Sequence, residues 1–277
     1  MQPADLNLSD QVTGHQHSLF VFLPPHQVDV PLTQALDALG ADMENMHTAA
    51  GHPSEDAFTR GRFQFLRAQP DLSSERDLPH PTVSQANALI RLECATPEPL
   101  WRYAKGVRQL IEPRGGCVDI LPGVQRQRSY TSPAMAQFAY APALAPQSGA
   151  DCPVGVVTPQ NKTAAWWAMD WMHRESFFLP RYDAQENLVA AGHALASAAG
   201  IPYIVRRNVH AADGYGQADA YDFVPYFEFA DAHADIFRSV MAALRDVTQN
   251  PEWRYVQEGP EWWGRRVEHA AAIWEPR

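Results

Sequence analysis

The sequence contains few cysteines. Only Cys94, Cys117 and Cys152 occur among its 277 residues. An odd number of cysteines at wide spacing fits neither a disulfide framework nor the paired spacing of a structural zinc site. We therefore expect three reduced thiols, and we assign them no chemistry.

Long apolar runs and basic clusters are also lacking. No run approaches the ~18 apolar residues that a membrane helix requires, and the start MQPADLNLSDQVTGHQH has neither the basic nor the apolar region of a secretory signal. Lys and Arg total 22 against 32 Asp and Glu, which gives a net charge of -10. Because nucleic-acid backbones require clustered positive charge, we predict a cytoplasmic protein with neither a nucleic-acid nor a membrane partner.

A stretch of small and turn-forming residues divides the chain. It reads APALAPQSGADCPVGVVTPQNK over 141–162 and lacks helical periodicity. With 277 residues, 45% of them hydrophobic, the chain is long enough for one large domain or two small ones. We expect an N-terminal half at 1–145, a linker at 146–162 and a C-terminal half at 163–277.

The C-terminal half shows alternating strand and helix patterns. An extended segment, a helix, two strands, a helix and a short strand are predicted over 163–172, 182–199, 201–209, 221–229, 231–247 and 253–257. The second helix has the clearest pattern, since Phe237, Val240, Met241 and Leu244 recur at helical spacing. This order is the split βαβ arrangement of ferredoxin-like domains.

The N-terminal half follows the same order less clearly. Its predicted elements cover 18–23, 31–39, 61–68, 88–94, 97–112 and a strand that starts at Cys117. Two similar halves indicate a tandem duplication. We predict an α+β fold in which tandem ferredoxin-like repeats form a dimeric α+β barrel type of subunit, with helices outside and a cavity between the sheets.

The segment IPYIVRRNVH at 201–210 places two adjacent arginines in a predicted strand. Side chains alternate across a strand, so Arg206 and His210 share one face, while Arg207 lies on the other. We expect the Arg207 face to cover the helices and the Arg206 face to line the interior cavity, where the guanidinium would face an anion. His193, near the end of the preceding predicted helix, could coordinate a metal or a heme iron.

Three features of the C-terminal half occur together: a helix that ends near His193, Arg206 thirteen residues later, and YDFVPYFEF at 221–229. This combination resembles the chlorite dismutase and coproheme decarboxylase superfamily. Further matching segments are SYTSPAMAQFAY at 129–140, RESFFLP at 174–180 and EGPEWWG at 258–264. The resemblance covers roughly 85–265, and the spacing from His193 to Arg206 is its most specific element.

The resemblance implies heme b, with His193 as the proximal iron ligand and Arg206 as the distal residue. Chlorite dismutases carry arginine at the distal place, whereas coproheme decarboxylases commonly carry glutamine. A guanidinium there can hold an anionic oxidant and stabilise developing negative charge. The implied function is that of a heme b-dependent oxidoreductase that decomposes chlorite or a related small oxidant, or acts as a peroxidase. The partners implied are that small substrate and, in a homo-oligomer, further copies of the chain.

The resemblance also implies supporting roles for other residues. Those expected to contact the cofactor are Tyr130, Arg174, Phe177, Phe178 and Trp167. Gln249 falls where an acidic partner of the proximal imidazole is expected, and a neutral amide there would leave the imidazole less electron-donating. His210 is expected to accompany Arg206 on the distal side.

Several alternatives remain open at this point. His173 in WMHRE is a rival iron ligand, and a histidine at a helix end is often only a capping residue. Paired strand arginines are often surface or ion-paired residues, with Glu228 or Asp222 as partners. The chain could also be a decarboxylase or dehydratase of the same superfamily. A cofactor-free barrel that binds a small ligand or serves assembly is the alternative from another class.

Overall fold

The computed structural model describes residues 12–49, 63–126, 152–217 and 220–275. Its strands, in chain order, are β1 (Val12–Phe22), β2 (Phe63–Ala68), β3 (Ala88–Cys94), β4 (Cys117–Arg126), β5 (Val154–Val157), β6 (Gln160–Lys162), β7 (Arg181–Tyr182), β8 (Leu188–Ala190), β9 (Val205–Arg207), β10 (Tyr226–Phe229), β11 (Val256–Glu258) and β12 (Trp262–Val267). Its α-helices are α1 (Val30–Ala49), α2 (Pro81–Gln85), α3 (Pro97–Ile111), α4 (Ala164–Ala168), α5 (Trp171–Ser176), α6 (Gly192–Ser197) and α7 (Ala234–Arg245).

Eight of the strands form one antiparallel sheet in the order β4-β1-β3-β2-β12-β5-β10-β9. The two edges meet just after β9, where Val124 and His210 exchange backbone hydrogen bonds of 2.8 and 2.9 Å. These two bonds bring the ends of the sheet together into a nearly closed barrel. The predicted α+β barrel fold is confirmed.

Each half of the chain supplies four neighbouring strands, whose outer face is covered by helices. In the first half, α1 and α3 cover the outer face of the sheet, and Leu32, Leu36 and Val107 pack there against Leu19 and Val21 of β1. In the second half, α7 packs on β5, β10 and β12 in the same way. The pairing of β2 with β12 joins the halves, with Arg67 opposite Arg265 in the register.

The barrel interior has an apolar part and a charged part. Its apolar part gathers side chains from strands all around the sheet, among them Phe20, Leu66, Leu89, Val157 and Trp262. Its charged part contains Arg91, Glu93, Arg207 and Glu228, each at most 5% exposed. Buried charges are tolerated when they are paired and hydrogen-bonded, and here Arg91 forms an ion pair with Glu93 while Arg266 lies 2.8 Å from Glu228.

The amphipathic helices agree closely with the sequence predictions. The helix expected over 97–112 is observed at Pro97–Ile111, and the helix expected over 231–247 contains α7 at Ala234–Arg245. Pro97 occupies the first turn of α3, where its missing N–H costs nothing. Helical spacing of apolar residues was sufficient here, because each of these helices buries a single stripe against the sheet.

Other predicted elements of the C-terminal half are wrong in type or extent. The helix predicted over 182–199 is observed as the β7–β8 hairpin followed by the short α6. Asp183 directs the hairpin turn, since its Oδ1 accepts hydrogen bonds from the backbone of Gln185 and Asn187. The extended segment predicted over 163–172 contains the helix α4 and the start of α5.

Three further boundaries shift. The strand predicted over 201–209 is only Val205–Arg207, because Gly200 accepts turn hydrogen bonds from Tyr203 and Ile204. The short strand predicted at 253–257 is mainly a 3-10 helix at Pro251–Tyr255. The linker expected over 146–162 contains strands β5 and β6, and β5 is a buried strand of the main sheet. A division of the chain into domains at this place stays a prediction.

Candidate functional site

A narrow cleft lies on the helix side of the second half, between α6 and α7 and the strands β9 and β10. It encloses about 50 Å³. Its walls are mostly apolar and include Phe227, Phe237, Val240, Met241 and Leu244. The side chains of His193 and Arg206 line the same cleft, so two residues predicted from the sequence meet here.

The position of His193 depends on the residue before it. Gly192 has a φ of 62°, a left-handed conformation that glycine adopts without steric cost. This turn starts α6 and lets the His193 backbone N–H donate to the carbonyl of Phe177 at 3.2 Å. The imidazole that follows is only 4% exposed.

The His193 ring is held by a carboxylate that also binds a lysine. Nδ1 lies 2.8 Å from Oε2 of Glu252, and Nζ of Lys162 lies 2.6 Å from the other carboxylate oxygen. Burial alone would raise the pKa of the Glu252 carboxyl, but Lys162 and His193 outweigh it and hold that pKa well below its usual range. Because the ionised carboxylate can only accept, the Nδ1 proton is donated to Glu252.

Arg206 lies against the other ring nitrogen. Its Nη1 is 3.3 Å from Nε2 of His193, and its guanidinium lies 5.8 Å from the ring centre of Phe227. A guanidinium is always a donor, so Nε2 accepts this contact through its lone pair. The tautomer fixed by Glu252 is therefore the one that presents a lone pair to the cleft.

The donor set of the cleft fits a heme iron. A neutral imidazole whose Nδ1–H is bound by a carboxylate is the usual metal-ligating arrangement, and the apolar wall of α7 suits a porphyrin face. The present gap between His193 and Arg206 is too narrow for a porphyrin. A flat ring between two groups requires a separation of about 7 Å, at ordinary carbon contact distances of ~3.5 Å on each face. The flexible side chain of Arg206 must swing away from His193 before such a ring can enter.

The two arginines lie on opposite faces of β9, but the faces are reversed relative to the sequence prediction. Arg206 faces the helix side and the cleft, whereas Arg207 faces the barrel interior, where its charge interacts with Glu93 and Glu228. The prediction assumed that the ligand cavity lies between the sheets. The structure instead places the cleft between the sheet and its own helices, while the interior at β9 holds buried charge.

The predicted role of Gln249 is wrong. Its side chain is exposed, and only its backbone carbonyl contributes, accepting a 2.9 Å hydrogen bond from Gly192. The partner of the His193 imidazole is Glu252, three residues later, which the 3-10 turn at Pro251–Tyr255 carries into the core. Pattern counting missed this because a 3-10 turn changes which side chains point inward.

The predicted aromatic residues lie next to the site. The Phe178 ring is 5.5 Å from the His193 ring, and Phe177 packs on Trp166 and Tyr255. Trp167 stacks on Tyr215 at 4.4 Å, and Arg174 is buried at 5.6 Å from the Trp167 ring. These residues form the layer behind His193 and do not line the cleft.

His210 and His173 lie outside the cleft. His210 is fully buried, and its Nδ1 is 2.9 Å from the hydroxyl of Tyr215. His173 is exposed on α5 and stacks on Phe177 at 5.3 Å. Of the two candidate iron ligands, the structure therefore places only His193 beside Arg206. Tyr130 and its surrounding SYTS motif lie outside the described residues.

Sequence reasoning missed two residues of the site, Glu252 and Lys162. They are separated from His193 by 59 and 31 positions, so no local spacing links them. The signal available was chemical, since Lys162 is the one charged residue between Cys152 and Met169 and lies close to Trp166, over whose ring its ammonium lies at 4.3 Å. An isolated charge in such surroundings requires a buried partner.

Within the ranges that the structure describes, no group of three or more His, Cys, Asp or Glu side chains could hold a metal ion. A heme iron would differ from such a site, because the porphyrin would supply most of the ligands and the protein would need to add only one side chain. Among the same residues, no helix combines the length and apolarity that spanning a bilayer demands.

Comparisons with solved structures found extensive likeness. A Trp→Phe variant of chlorite dismutase from Candidatus Nitrospira defluvii, in complex with cyanide, matches with a TM-score of 0.62 and 18% identity over 97% of this chain and 96% of that one. The imidazole complex of that enzyme matches with a TM-score of 0.62 and 17% identity over 96% of each chain. An Arg→Glu variant of the same enzyme matches with a TM-score of 0.63 and 16% identity, over 96% of each chain.

These matches confirm the predicted resemblance at the level of the fold. The chain has the chlorite dismutase-like α+β barrel fold along nearly its whole length. A scan against models of protein families found no match, and neither did a search of curated protein sequences.

Proposed function

We propose that this chain binds heme b through Nε2 of His193 and acts as an oxidoreductase on chlorite or a related small oxidant. The observation that carries the proposal is the chain of contacts Lys162–Glu252–His193–Arg206, which fixes the imidazole tautomer and places a guanidinium on the ligand side of Nε2. The likeness to chlorite dismutases supports the same reading, at the level of fold.

Glu252 would hold the proton at Nδ1 and make the imidazole a stronger electron donor. Lys162 keeps this carboxylate ionised within the core. The sequence predicted a neutral amide at this place, which argued against efficient oxidant chemistry, and the observed carboxylate removes that objection. The arrangement therefore favours the oxidant-handling branch of the resemblance.

Arg206 would receive the anionic substrate. When bound, heme supplies the iron whose oxidation state changes, and this redox chemistry belongs to the cofactor. The guanidinium contributes fixed positive charge and hydrogen-bond donors that stabilise negative charge as an oxygen bond breaks. Its contact with His193 would already be broken when heme occupies the cleft, which would leave the guanidinium available to a substrate anion, and Phe237, Val240 and Met241 supply the apolar wall.

Heme titration of the purified apoprotein tests the proposal. The wild type is expected to take up one heme per chain with a Soret band characteristic of histidine ligation. His193→Ala should lose that band, while His173→Ala, its matched control on α5, should keep it. Equal heme binding by the His193→Ala variant would overturn the assignment of the ligand.

A second candidate rests on the narrowness of the cleft. With about 50 Å³ and Arg206 directly on His193, the chain could be a cofactor-free barrel that binds a smaller ligand. Failure of the wild type to take up heme in the same titration would favour this candidate. A decarboxylase or dehydratase would instead bind heme normally, and Arg206→Gln would then leave its turnover intact.

We include a homo-oligomer in the proposal. Large apolar side chains of α5 and the β7–β8 hairpin are exposed, namely Trp171 at 57%, Met172 at 61%, Tyr182 at 57%, Leu188 at 48% and Val189 at 52%. Clustered exposure of this kind marks interaction surfaces. Light scattering coupled to size exclusion is expected to show a mass above that of one chain.

A further inference from the structure

The cleft of His193 and Arg206 has further polar side chains in its wall. Among the described residues these are Thr158, Gln160 and Ser197. The Ser197 hydroxyl already donates to the carbonyl of His193 at 2.8 Å, and Gln160 lies on β6, outside the barrel sheet. Thr158 directly follows β5 of the barrel sheet, so it is the polar residue to compare with Arg206.

The hydroxyl of Thr158 is buried but unused. Thr158 is only 4% exposed, and its hydroxyl forms no hydrogen bond with any described residue. It nevertheless keeps accessible surface, unlike the hydroxyl of Thr163, which is sealed from solvent and also lacks a partner among the described residues. A buried hydroxyl costs free energy unless it is hydrogen-bonded. A partner for the Thr158 hydroxyl therefore has to come from the cleft that this residue lines.

Thr158 and Arg206 lie on the same face of the sheet. The register pairs Val156 of β5 with Phe227 of β10, and Phe227 with Arg206 of β9. The pairing continues to Thr158, whose N–H donates to the carbonyl of Pro225 at 3.1 Å. Because side chains alternate, Thr158 shares the face of Val156 and Arg206. Two strand spacings, about 10 Å, and two residues of rise, ~7 Å, separate the backbones of Thr158 and Arg206.

The guanidinium of Arg206 extends across β10, in the direction of Thr158. It lies 5.8 Å from the ring centre of Phe227, on the strand between β9 and β5. A small anion over this ring would have the guanidinium on one side and the Thr158 hydroxyl on the other. The guanidinium offers fixed charge and several N–H donors, and the hydroxyl offers one further donor.

We propose that Thr158 is a second substrate-contacting residue, which donates a hydrogen bond to the anion that Arg206 holds. This inference rests on the proposed function and narrows its substrate class to small oxyanions with two acceptor oxygens on one central atom. One oxygen accepts from Arg206 and the other from Thr158. Both donors belong to the sheet, whereas His193 belongs to α6, so a heme between sheet and helix leaves the two donors on one side.

Anion titration of the ferric, heme-loaded protein tests the inference without measuring turnover. Nitrite carries two oxygens on one nitrogen, whereas fluoride has a single acceptor atom. Thr158→Val removes the hydroxyl and keeps the branched shape, so it should weaken nitrite binding at least about tenfold and change fluoride binding less than about twofold. Thr158→Ser keeps a hydroxyl and should bind nitrite nearly as the wild type does. Arg206→Gln should weaken both anions, because its charge attracts either one.

Thr163→Val is the matched control, since it also removes a hydroxyl without a partner among the described residues, but outside the cleft lining. It should change neither affinity. The Soret band shows that each variant has bound heme, and thermal unfolding shows that it is folded.

Three results would overturn the inference and leave heme binding intact. They are unchanged nitrite affinity in Thr158→Val, equal loss of nitrite and fluoride affinity in that variant, and a loss in Thr158→Ser as large as in Thr158→Val. Absence of heme uptake by the wild type would instead overturn the proposed function, and this inference with it.

Discussion

His193 and Glu252 are joined from Nδ1 to Oε2 at 2.8 Å, across 59 positions of the chain. This bond links the helix α6 to the 3-10 turn before β11, and Lys162 extends it to β6 at 2.6 Å. Three separate segments thus converge on one carboxylate. The orientation of the imidazole depends on their packing, and each partner can be tested by itself.

Glu252→Gln is expected to leave Lys162 without its buried counter-charge. Breaking a buried ion pair from one side costs about 3–5 kcal/mol of unfolding free energy, and loss of a carboxylate partner lowers the affinity of a metal-ligating histidine by roughly 10–100-fold. Denaturant unfolding and heme titration measure the two effects. Gln249→Ala is the control, and equal losses in both variants would contradict the observed partner.

Arg206→Gln and Arg207→Gln should have opposite consequences. Arg206 faces the cleft, so its loss should leave stability nearly unchanged and weaken azide or cyanide binding to the ferric protein, with turnover slowed by about 3 kcal/mol, or ~100-fold. Arg207 neutralises the buried Glu93 and Glu228, so its loss should cost about 3 kcal/mol of unfolding free energy.

Stopped-flow spectra with chlorite or peroxide and urea unfolding measure the Arg206 and Arg207 effects. The reversed pattern, with anion binding dependent on Arg207, would mean that the register of β9 is displaced by one residue.

Gly192→Ala should destabilise the protein more than a left-handed conformation alone explains. A Cβ at Gly192 would overlap the carbonyl oxygen of Leu179, a backbone atom that cannot move aside cheaply, whereas Gly115, at φ 73°, has nothing within 4 Å. Both substitutions lose about 1–2 kcal/mol to the positive φ, and overpacking adds about 1–3 kcal/mol at Gly192 alone. Equal unfolding free energies in the two variants would refute the close approach.

Stability should fall on acidification because of His17. Burial, aided by the charge of His15, lowers the pKa of His17 from 6.5 to about 4. Between these two values the unfolded chain binds a proton that the folded chain does not, so unfolding free energy decreases as the pH falls, by about 3 kcal/mol in total. Above pH 6.5 this contribution is fully present.

Urea unfolding at pH 7, 6, 5 and 4, round values that cover this range, measures the effect. His17→Phe retains the ring contact with Trp101 and should flatten the profile over this range. His269→Gln, at an exposed position, should leave it unchanged. A flat wild-type profile between pH 6.5 and 4 would contradict the buried neutral histidine.

The sequence was most informative where a pattern has one physical cause. The spacing of apolar residues in α7 follows from the single stripe that this helix buries. Pro97 marks the start of α3, because the proline ring fixes a backbone angle that suits the first turn of a helix. The β7–β8 hairpin was missed because a run of small residues suits a helix, while the side chain of Asp183 instead stabilises the turn. Here a hydrogen bond from backbone N–H groups to one side chain outweighs the helix propensity of the neighbouring residues.

For the candidate site, residue identity was easier to predict than its surroundings. His193 and Arg206 were predicted to lie on opposite sides of a heme, and the structure places their side chains at the same cleft, 3.3 Å apart. The face of Arg206 was wrong, because the alternation of β9 is the same whether the cleft lies inside the barrel or beside the helices. Only the charged interior around Arg91 and Glu93, assembled from several distant strands, decides between these arrangements.

The pairing of β2 with β12 bears on synthesis of the chain. β3 covers one edge of β2, but the other edge receives its hydrogen bonds from 262–267, which the ribosome makes long after the first four strands. Until β12 is made, we expect the other edge of β2 to have no hydrogen-bonding partner in the nascent N-terminal half. An unpaired strand edge can pair with a strand of another chain. The yield of folded protein in cells would then depend on how well chaperones protect this edge during synthesis, rather than on the stability of the finished barrel.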